Sequence, residues 1–325
     1  MTSGPSQQAK SAVDSTSVIV CTFDERRLEG LQRCLEAIRL QVPTPLEIFV
    51  VVNDNPTLAR SIAELLDGIK ILENDRPGVS HARDLGSSAA TADLLAFVDD
   101  DAVPHPGWLA ALIEPFDDGN VMMTSGYIEP LWATKRPRWF PDEFLWVVGC
   151  SYRGLPGNGA TLRNPIGASM AIRRSVVEAT GSFESNLGRI GTDGSGCEET
   201  EFAIRAHRLQ PGGTVIHVTE SIVDHIVPAR RTSLTYFLRR CWREGRSKAI
   251  LVELSSPGEG LSTERVFVRS TILSGLSANL RRPWHWDRFG MIVIGLGATG
   301  AGYVIGRLAL RLEHRMPVPR SDDQG

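Results

Sequence analysis

At 325 residues, 42% of them hydrophobic, the chain can bury a large core and build one big domain or a domain with an appendage. A formal charge of -3 argues against a generic nucleic-acid binder, while local basic clusters stay available for anionic ligands. Five scattered cysteines (Cys21, Cys34, Cys150, Cys197, Cys241) include no C-x-x-C pair, which fits a reducing compartment better than a disulfide framework and points to the cytoplasm.

Residues 1–16 are small and polar without an apolar core, so they read as a disordered tail rather than a signal peptide. From Ser17 the pattern alternates. An apolar run Ser17–Cys21 predicts a strand, Leu28–Leu40 a helix, and Leu46–Val52 a second strand, which together imply a parallel crossover. A helix near 58–66, a strand at Ile69–Leu72, a helix near 80–90 and a strand at Leu94–Val98 continue a doubly wound α/β half, whose ligand crevice lies at the strand carboxyl ends. Three polar clusters fall there: Thr22-Phe23-Asp24-Glu25, Asn53-Asp54-Asn55-Pro56 and Asp99-Asp100-Asp101.

The aspartate triplet carries the chemistry. Residues two apart on a strand share a face, and two carboxylates about 6 Å apart at an effective dielectric near 20 repel by roughly 3 kcal/mol. A divalent cation removes that repulsion, and oxygen ligands suit Mg2+ or Mn2+ and bridge readily to a diphosphate. A solvated acidic turn is the plainer alternative for such a triplet taken alone.

Residues 129–165 are rich in Pro, Gly and aromatic residues with weak periodicity, as functional loops often are. Trp139 and its aromatic neighbours could stack on a sugar or lipid acceptor, or pack as a satellite core. Gly167–Ile172 predicts a strand, and Gly194-Ser195-Gly196 leads into a helix from about Glu198 to His207.

Taken in order, these segments resemble the family 2 glycosyltransferases. The resemblance runs from Ser17 to about Lys248. It is carried by the first strand with Thr22 and Glu25, Asn53-Asp54-Asn55, the stretch Arg76–Gly86, the aspartate triplet and Pro104–Leu109. Gly167–Arg174, Gly181-Ser182-Phe183 and Glu198–Arg205 complete it. It implies an α/β chain with the GT-A nucleotide-diphospho-sugar transferase fold, a Rossmann-like mixed sheet over 17–230; the residues after it, 231–325, read from their own pattern as a helical appendage that could associate with a membrane. It further implies a metal-dependent, inverting enzyme with a nucleotide-diphosphate sugar donor, a hydroxyl acceptor and Mn2+ or Mg2+ as cofactor.

Residue by residue, the resemblance places Thr22, Phe23, Glu25, Asn53 and Asp54 around the nucleoside, Arg83 on the diphosphate, and Asp99 or Asp100 near the ribose. Asp99, Asp101 and His225 would hold the metal, the imidazole favouring Mn2+. Glu199 would be the general base, in the second position of the family's acidic pair. Ser169, Glu198 and Trp139 are placed on the acceptor side. Glu199 stands where Asp is commoner, while Asp84 and Ser169 each replace a frequent Asn, which bears on donor and acceptor identity. A Q-x-x-R-W signature is absent after Pro228, so transfer of a single sugar is expected. The acceptor would be a cell-envelope glycan, a lipid-linked molecule or a secondary metabolite.

Arg231–Leu254 reads as an amphipathic helix, with Phe237, Cys241, Gly245 and Ala249 on one side and Arg239, Arg240, Arg243, Arg246 and Lys248 on the other. That basic side would meet anionic lipid, a lipid diphosphate acceptor or solvent. A break at Ser255–Gly260 precedes a helix near 264–280. Residues 289–306 carry no charge, and as a helix their length of about 27 Å falls slightly short of a hydrocarbon core of about 30 Å. Gly302-x-x-x-Gly306 allows close packing, and Arg281, Arg282, Arg307, Arg311 and Arg315 set no orientation. A docked or re-entrant helix at the inner face of the plasma membrane is expected rather than a clean span. Two competing readings are a sugar-nucleotide nucleotidyltransferase, which needs a glycine-rich phosphate loop this chain lacks after its first strand, and a non-catalytic carbohydrate- or membrane-binding module.

Overall fold

The computed structural model describes residues 16–185, 187, 196–255, 267–280 and 286–313. The tail over 1–15, the Gly194-Ser195 pair, the break after Ser255, and Arg281, Arg282 and Arg315 lie outside them.

Four parallel strands form one half of the sheet: β1 (Thr16–Thr22), β2 (Glu47–Asn53), β3 (Lys70–Asn74) and β4 (Leu94–Asp99). They are joined by α1 (Leu28–Arg39), α2 (Pro56–Leu65) and α3 (Val79–Ala89). The other half contains β5 (Ala102–Pro104), β6 (Val121–Trp132), β7 (Thr161–Leu162), β8 (Ser169–Arg173) and β9 (Thr214–Val227). The strand order is β3-β2-β1-β4-β8-β6-β9-β5, with β7 paired to β9. The sheet is mixed because β8 runs antiparallel to β4, and β5 antiparallel to β9. Thr16, assigned by composition to the tail, is instead the fully buried first residue of β1.

Period-two alternation distributes the core over both faces. Val18, Val20, Val50 and Val98 pack with Leu31 and Leu35 of α1 and with Trp108 of α4 (Trp108–Ile113). Ile19, Val51, Phe97 and Met170 point the other way, onto Ala82 of α3 and Phe202 of α6 (Glu198–Leu209). A short α5 (Arg174–Thr180) follows β8. Aromatic residues of the irregular stretch join the first layer: Trp139 stacks on Phe140 at 5.4 Å and meets the edge of Phe237 at 5.7 Å. The expectation that Trp139 faces an acceptor is thereby corrected, since its ring packs among these neighbours and does not line the central cavity.

After β9 the chain turns through Ala229–Thr232 into α7 (Leu234–Leu254), and α8 (Leu273–Leu280) and α9 (Trp286–Glu313) follow. α7 and α9 run side by side in the same direction: Gly295 lies against Phe237, Gly302 against Trp242, and Arg307 pairs with Glu253 at 2.5 Å. Gly245 and Gly302 let the two backbones touch, because a Cβ at either would overlap main-chain atoms of the other helix. The opposite stripe of α9 exposes Val293, Ile294, Val304, Ile305, Leu308 and Leu312. By length and composition α9 could cross a membrane, although it is seated along α7.

A buried carboxylate ties the parallel half together. Glu47 accepts from Ser17 Oγ at 2.7 Å, Lys70 Nζ at 2.6 Å and the Thr91 backbone N–H at 2.9 Å. Burial alone would raise its pKa, but these donors outweigh burial and bring it down to about 2. Because the folded value lies below an unfolded value of about 4.3, the stabilisation is complete above that value and is lost as pH falls towards 2. Glu47→Gln is expected to cost about 2 kcal/mol at pH 7 and progressively less from pH 5 to pH 3. Urea unfolding at several pH values measures this difference.

Candidate functional site

Above the carboxyl ends of β1, β2 and β4 lies a cavity of about 1070 Å3. Thr22, Asn53, Asp54, Asp99 and Asp100 reach it from those strand ends, and Glu198 and Glu199 from the first turn of α6. The last strand residue is Asp99. Asp100 and Asp101 occupy a turn before β5, so the triplet is not one extended segment.

Two arginines and a histidine compensate this charge, Arg231 and His225 buried and Arg27 partly so. Arg27 forms an ion pair with Asp100 and stands 3.5 Å from Asp101, while Arg231 approaches Asp101 at 3.5 Å. His225 Nε2 lies 3.2 Å from Asp101 Oδ1. Burial pushes the Asp100 carboxyl up to about 6, opposed by Arg27 and assisted by Asp101. Burial also disfavours charge on Asp101, but His225, Arg27 and Arg231 outweigh it and hold that carboxyl well below the usual range. In turn Asp101 lifts His225 to about 10 against the effect of burial.

Asp99, Asp101 and His225 each bring one potential ligand atom within 4.8 Å of the others. Although in ion-pair range of Asp101, His225 Nε2 lacks hydrogen-bond geometry to any described residue while fully buried. Asp99 makes no side-chain hydrogen bond or ion pair among the described residues. Two carboxylates, one of them partly exposed to the cavity, and an imidazole that can ligate once neutral make a donor set that fits a divalent ion of the Mn2+ type.

Arg83 joins the sheet to the α6 glutamates. Its side chain is 5% exposed and lies 3.3 Å from Glu198 and 3.0 Å from Glu199. Burial disfavours its charge, and Glu199, Glu198 and Asp99 more than restore it. Gly167 supplies the surface against which this pair rests, because a Cβ there would overlap both Glu199 Oε1 and the Arg83 guanidinium. Just before α6, Cys197 sits at φ 80°, a left-handed conformation uncommon for a side-chain-bearing residue. Its thiol reaches Glu244 of α7 at 3.6 Å, and Gly196 N–H donates to Ser247 Oγ at 3.3 Å, so α7 braces the start of the glutamate helix.

Of the donor-side expectations, Thr22, Phe23, Asn53, Asp54, Arg83, Asp99 and Asp100 line the cavity. Thr22 donates its hydroxyl to Asp100 at 2.7 Å, and both are buried, so these two secure the loop rather than offer open polar atoms. Glu25 is corrected: it opens the short 3-10 turn Glu25–Arg27 and is exposed, off the cavity wall, which Asp24 and Arg27 occupy instead. Ser169 is also corrected. It is fully buried in β8 and accepts from the Trp108 indole at 2.9 Å, which leaves it unable to reach an acceptor. Glu198, expected near the acceptor, does line the cavity but is held by Arg83. Arg27, Arg231 and Gly167 were not singled out from the sequence. For the two arginines the signal was the triplet itself, which needs positive charge nearby, whereas nothing local marks Gly167.

Comparison with known proteins agrees with this geometry. The model of glycosyl transferase family 2 matches residues 17–181. The chain is 29% identical over 240 residues to a glucosyl-dolichyl phosphate glucuronosyltransferase of Haloferax volcanii, covering 72% of this chain and 76% of that one. It is 28% identical over 250 residues to the succinoglycan biosynthesis protein ExoM of Rhizobium meliloti, covering 74% and 75%. Among solved structures, the mannosyltransferase PcManGT of Pyrobaculum calidifontis, in complex with GDP-Man and Mn2+, superposes with a TM-score of 0.56 at 20% identity over 93% of this chain and 88% of that one. The last likeness bears on the fold, which is GT-A.

Gly167→Ala should separate position from stability, because its overlaps are with the ends of flexible side chains. Turnover is expected to fall at least tenfold, with the midpoint of thermal unfolding changed by less than about 3 °C. Steady-state kinetics and differential scanning fluorimetry on the same preparation give both values.

Proposed function

This chain belongs to glycosyl transferase family 2, and on that premise we propose that it transfers a single sugar, with inversion, from a nucleotide-diphosphate donor to a hydroxyl of a lipid-linked acceptor. The observation that supports this most is the meeting of Asp99 and Glu199 around one cavity, with Arg83 paired to Glu199 and within the electrostatic reach of Asp99. Asn53, Asp54 and Phe23 would hold the nucleoside. Glu199 takes the proton from the acceptor hydroxyl as its oxygen bonds to the anomeric carbon, and the bond from that carbon to the diphosphate breaks. Arg83 stabilises the negative charge that develops on the departing diphosphate. Asp99, Asp101 and His225 would hold Mn2+ or Mg2+, which supplies Lewis-acid stabilisation to the same leaving group.

The family relative named for a dolichyl phosphate substrate supports a lipid-linked acceptor, and so does α9. We place α9 in the plane of the inner membrane face. To span a bilayer it would have to leave α7 or draw Arg239, Arg243 and Lys248 into hydrocarbon. In-plane docking buries its exposed apolar stripe and leaves the cavity in water.

Three measurements test this reading. A thermal-shift panel of UDP-, GDP- and dTDP-sugars should show one donor class raising the melting point only with Mn2+ present, and Glu199→Gln should retain that shift while turnover falls by about 10²–10⁴. Unchanged turnover would refute the base assignment. For the membrane, Ile305→Asp with Leu308→Asp, both half-exposed on α9, should move the protein into the soluble fraction with its donor-induced shift intact.

A further inference from the structure

His225 presents its two ring nitrogens to different neighbours. Nε2 stands 3.2 Å from Asp101 Oδ1, while Nδ1 has Cys150 Sγ at 3.8 Å as its hydrogen-bond partner among the described residues. Imidazole and thiol are each 1% exposed, so that nitrogen is satisfied from within the protein.

Local structure holds the sulfur in place. The short 3-10 segment Asp142–Val148 ends at Gly149, whose φ of 88° suits glycine, and the chain folds back there. Gly149 N–H donates to the Trp146 carbonyl at 3.0 Å and Cys150 N–H to that of Leu145 at 3.1 Å. The next residue is tied twice to β6: Ser151 N–H donates to the Ile128 carbonyl at 3.0 Å, and Ser151 Oγ accepts from Ile128 N–H at 2.9 Å. β6 pairs in turn with β9, with Pro130 opposite His225. Thiol and imidazole therefore stand on one frame.

The neighbours also set the direction of the hydrogen bond. The thiol hydrogen has its own acceptor, the Val148 carbonyl at 4.0 Å, which Arg231 Nη1 approaches at 3.4 Å. With S–H turned there, a sulfur lone pair is left for an Nδ1–H. An imidazole that ligates a metal through Nε2 carries its hydrogen on Nδ1, and an acceptor beside Nδ1 selects that tautomer and fixes the ring. A neutral ring with a bare Nδ1 would instead aim Nε2–H at Asp101 and close the site to a cation. Nδ1 keeps its hydrogen in the charged ring as well, so the contact with sulfur holds in both forms.

We propose that Cys150 is a positioning residue for the metal centre: its sulfur accepts the Nδ1–H of His225 and so turns a bare Nε2 towards an ion held with Asp99 and Asp101. The inference rests on the sugar-transfer reading and adds the group that prepares one of its metal ligands. Packing is the competing explanation for a buried cysteine, and Cys150 does sit in the larger apolar cluster. The two roles make different demands: packing asks for volume, positioning for a lone pair.

The test follows Mn2+ binding to the full-length protein by electron paramagnetic resonance, without donor and without turnover. The unmodified protein should bind Mn2+ and show spin-echo modulation from a directly bonded nitrogen, which His225→Ala removes. Cys150→Ala and Cys150→Val, one smaller and one larger than cysteine and both without a lone pair, should each lower the affinity about tenfold. Cys150→Ser keeps an acceptor and should bind several-fold more tightly than either. Full affinity in the alanine and valine variants overturns the positioning role alone and leaves the sugar-transfer reading standing. A serine variant as weak as those two also overturns it, by making the residue a matter of packing. Nitrogen NMR of histidine-labelled, metal-free unmodified protein needs no variant at position 150: a hydrogen on His225 Nδ1 is expected, and a bare Nδ1 overturns the proposal. Absence of bound Mn2+, or of the nitrogen modulation, in the unmodified protein overturns the ligand set itself and the positioning role with it.

Discussion

Carboxylates taken out of water at a strand end must be met by positive charge, and the arrangement around Asp99–Asp101 follows from that requirement. Arg27 reaches across from the turn after β1 to Asp100 and Asp101, Arg231 comes from the turn after β9, and His225 from β9 itself. Arg83 meets the same need for Glu198 and Glu199 on the neighbouring wall. These contacts connect the first strand, the last strand and the glutamate helix through one set of charges. Removing one partner leaves another buried and uncompensated, which is the costly way to break such a network.

This charge balance also explains why the appendage belongs to the site. α7 carries cations towards the cavity, braces Cys197 and Gly196 before the glutamate helix, and presents small residues to α9. α9 then offers apolar surface outward. A chain of direct contacts therefore runs from an exposed apolar stripe through a basic helix to the start of the helix that carries Glu199.

Much of this was legible in the sequence wherever local pattern decides structure. The first four strands and three helices appear within about two residues of their expected places, because apolar runs bounded by turn residues leave few alternatives. β6 and β9 escaped notice: Val121–Trp132 interleaves Met, Ser, Gly and Pro, and Thr214–Val227 breaks its alternation at Thr219-Glu220. The irregular stretch after β6 was recognised, but Trp139 joined the core because Phe140 and Phe237 surround it, while Phe144, Trp146 and Tyr152 line the cavity. Ser169 was misjudged through a contact 61 residues distant in sequence, the Trp108 indole. The periodicity of α7 was correct, yet a helical pattern cannot distinguish a face in solvent from one lining a cavity, and Arg240 lies on the latter.

The account stands most directly on where a divalent ion settles. Crystals of the full chain grown with Mn2+ and UDP or GDP, measured for anomalous scattering at the manganese edge, would locate it. The account predicts a peak within ligand distance of the Asp101 carboxylate and of His225 Nε2, with the nucleotide's phosphates on the side of Asp99 and Arg83. A peak bound elsewhere, or bound nucleotide with no peak between Asp99 and His225, would contradict it.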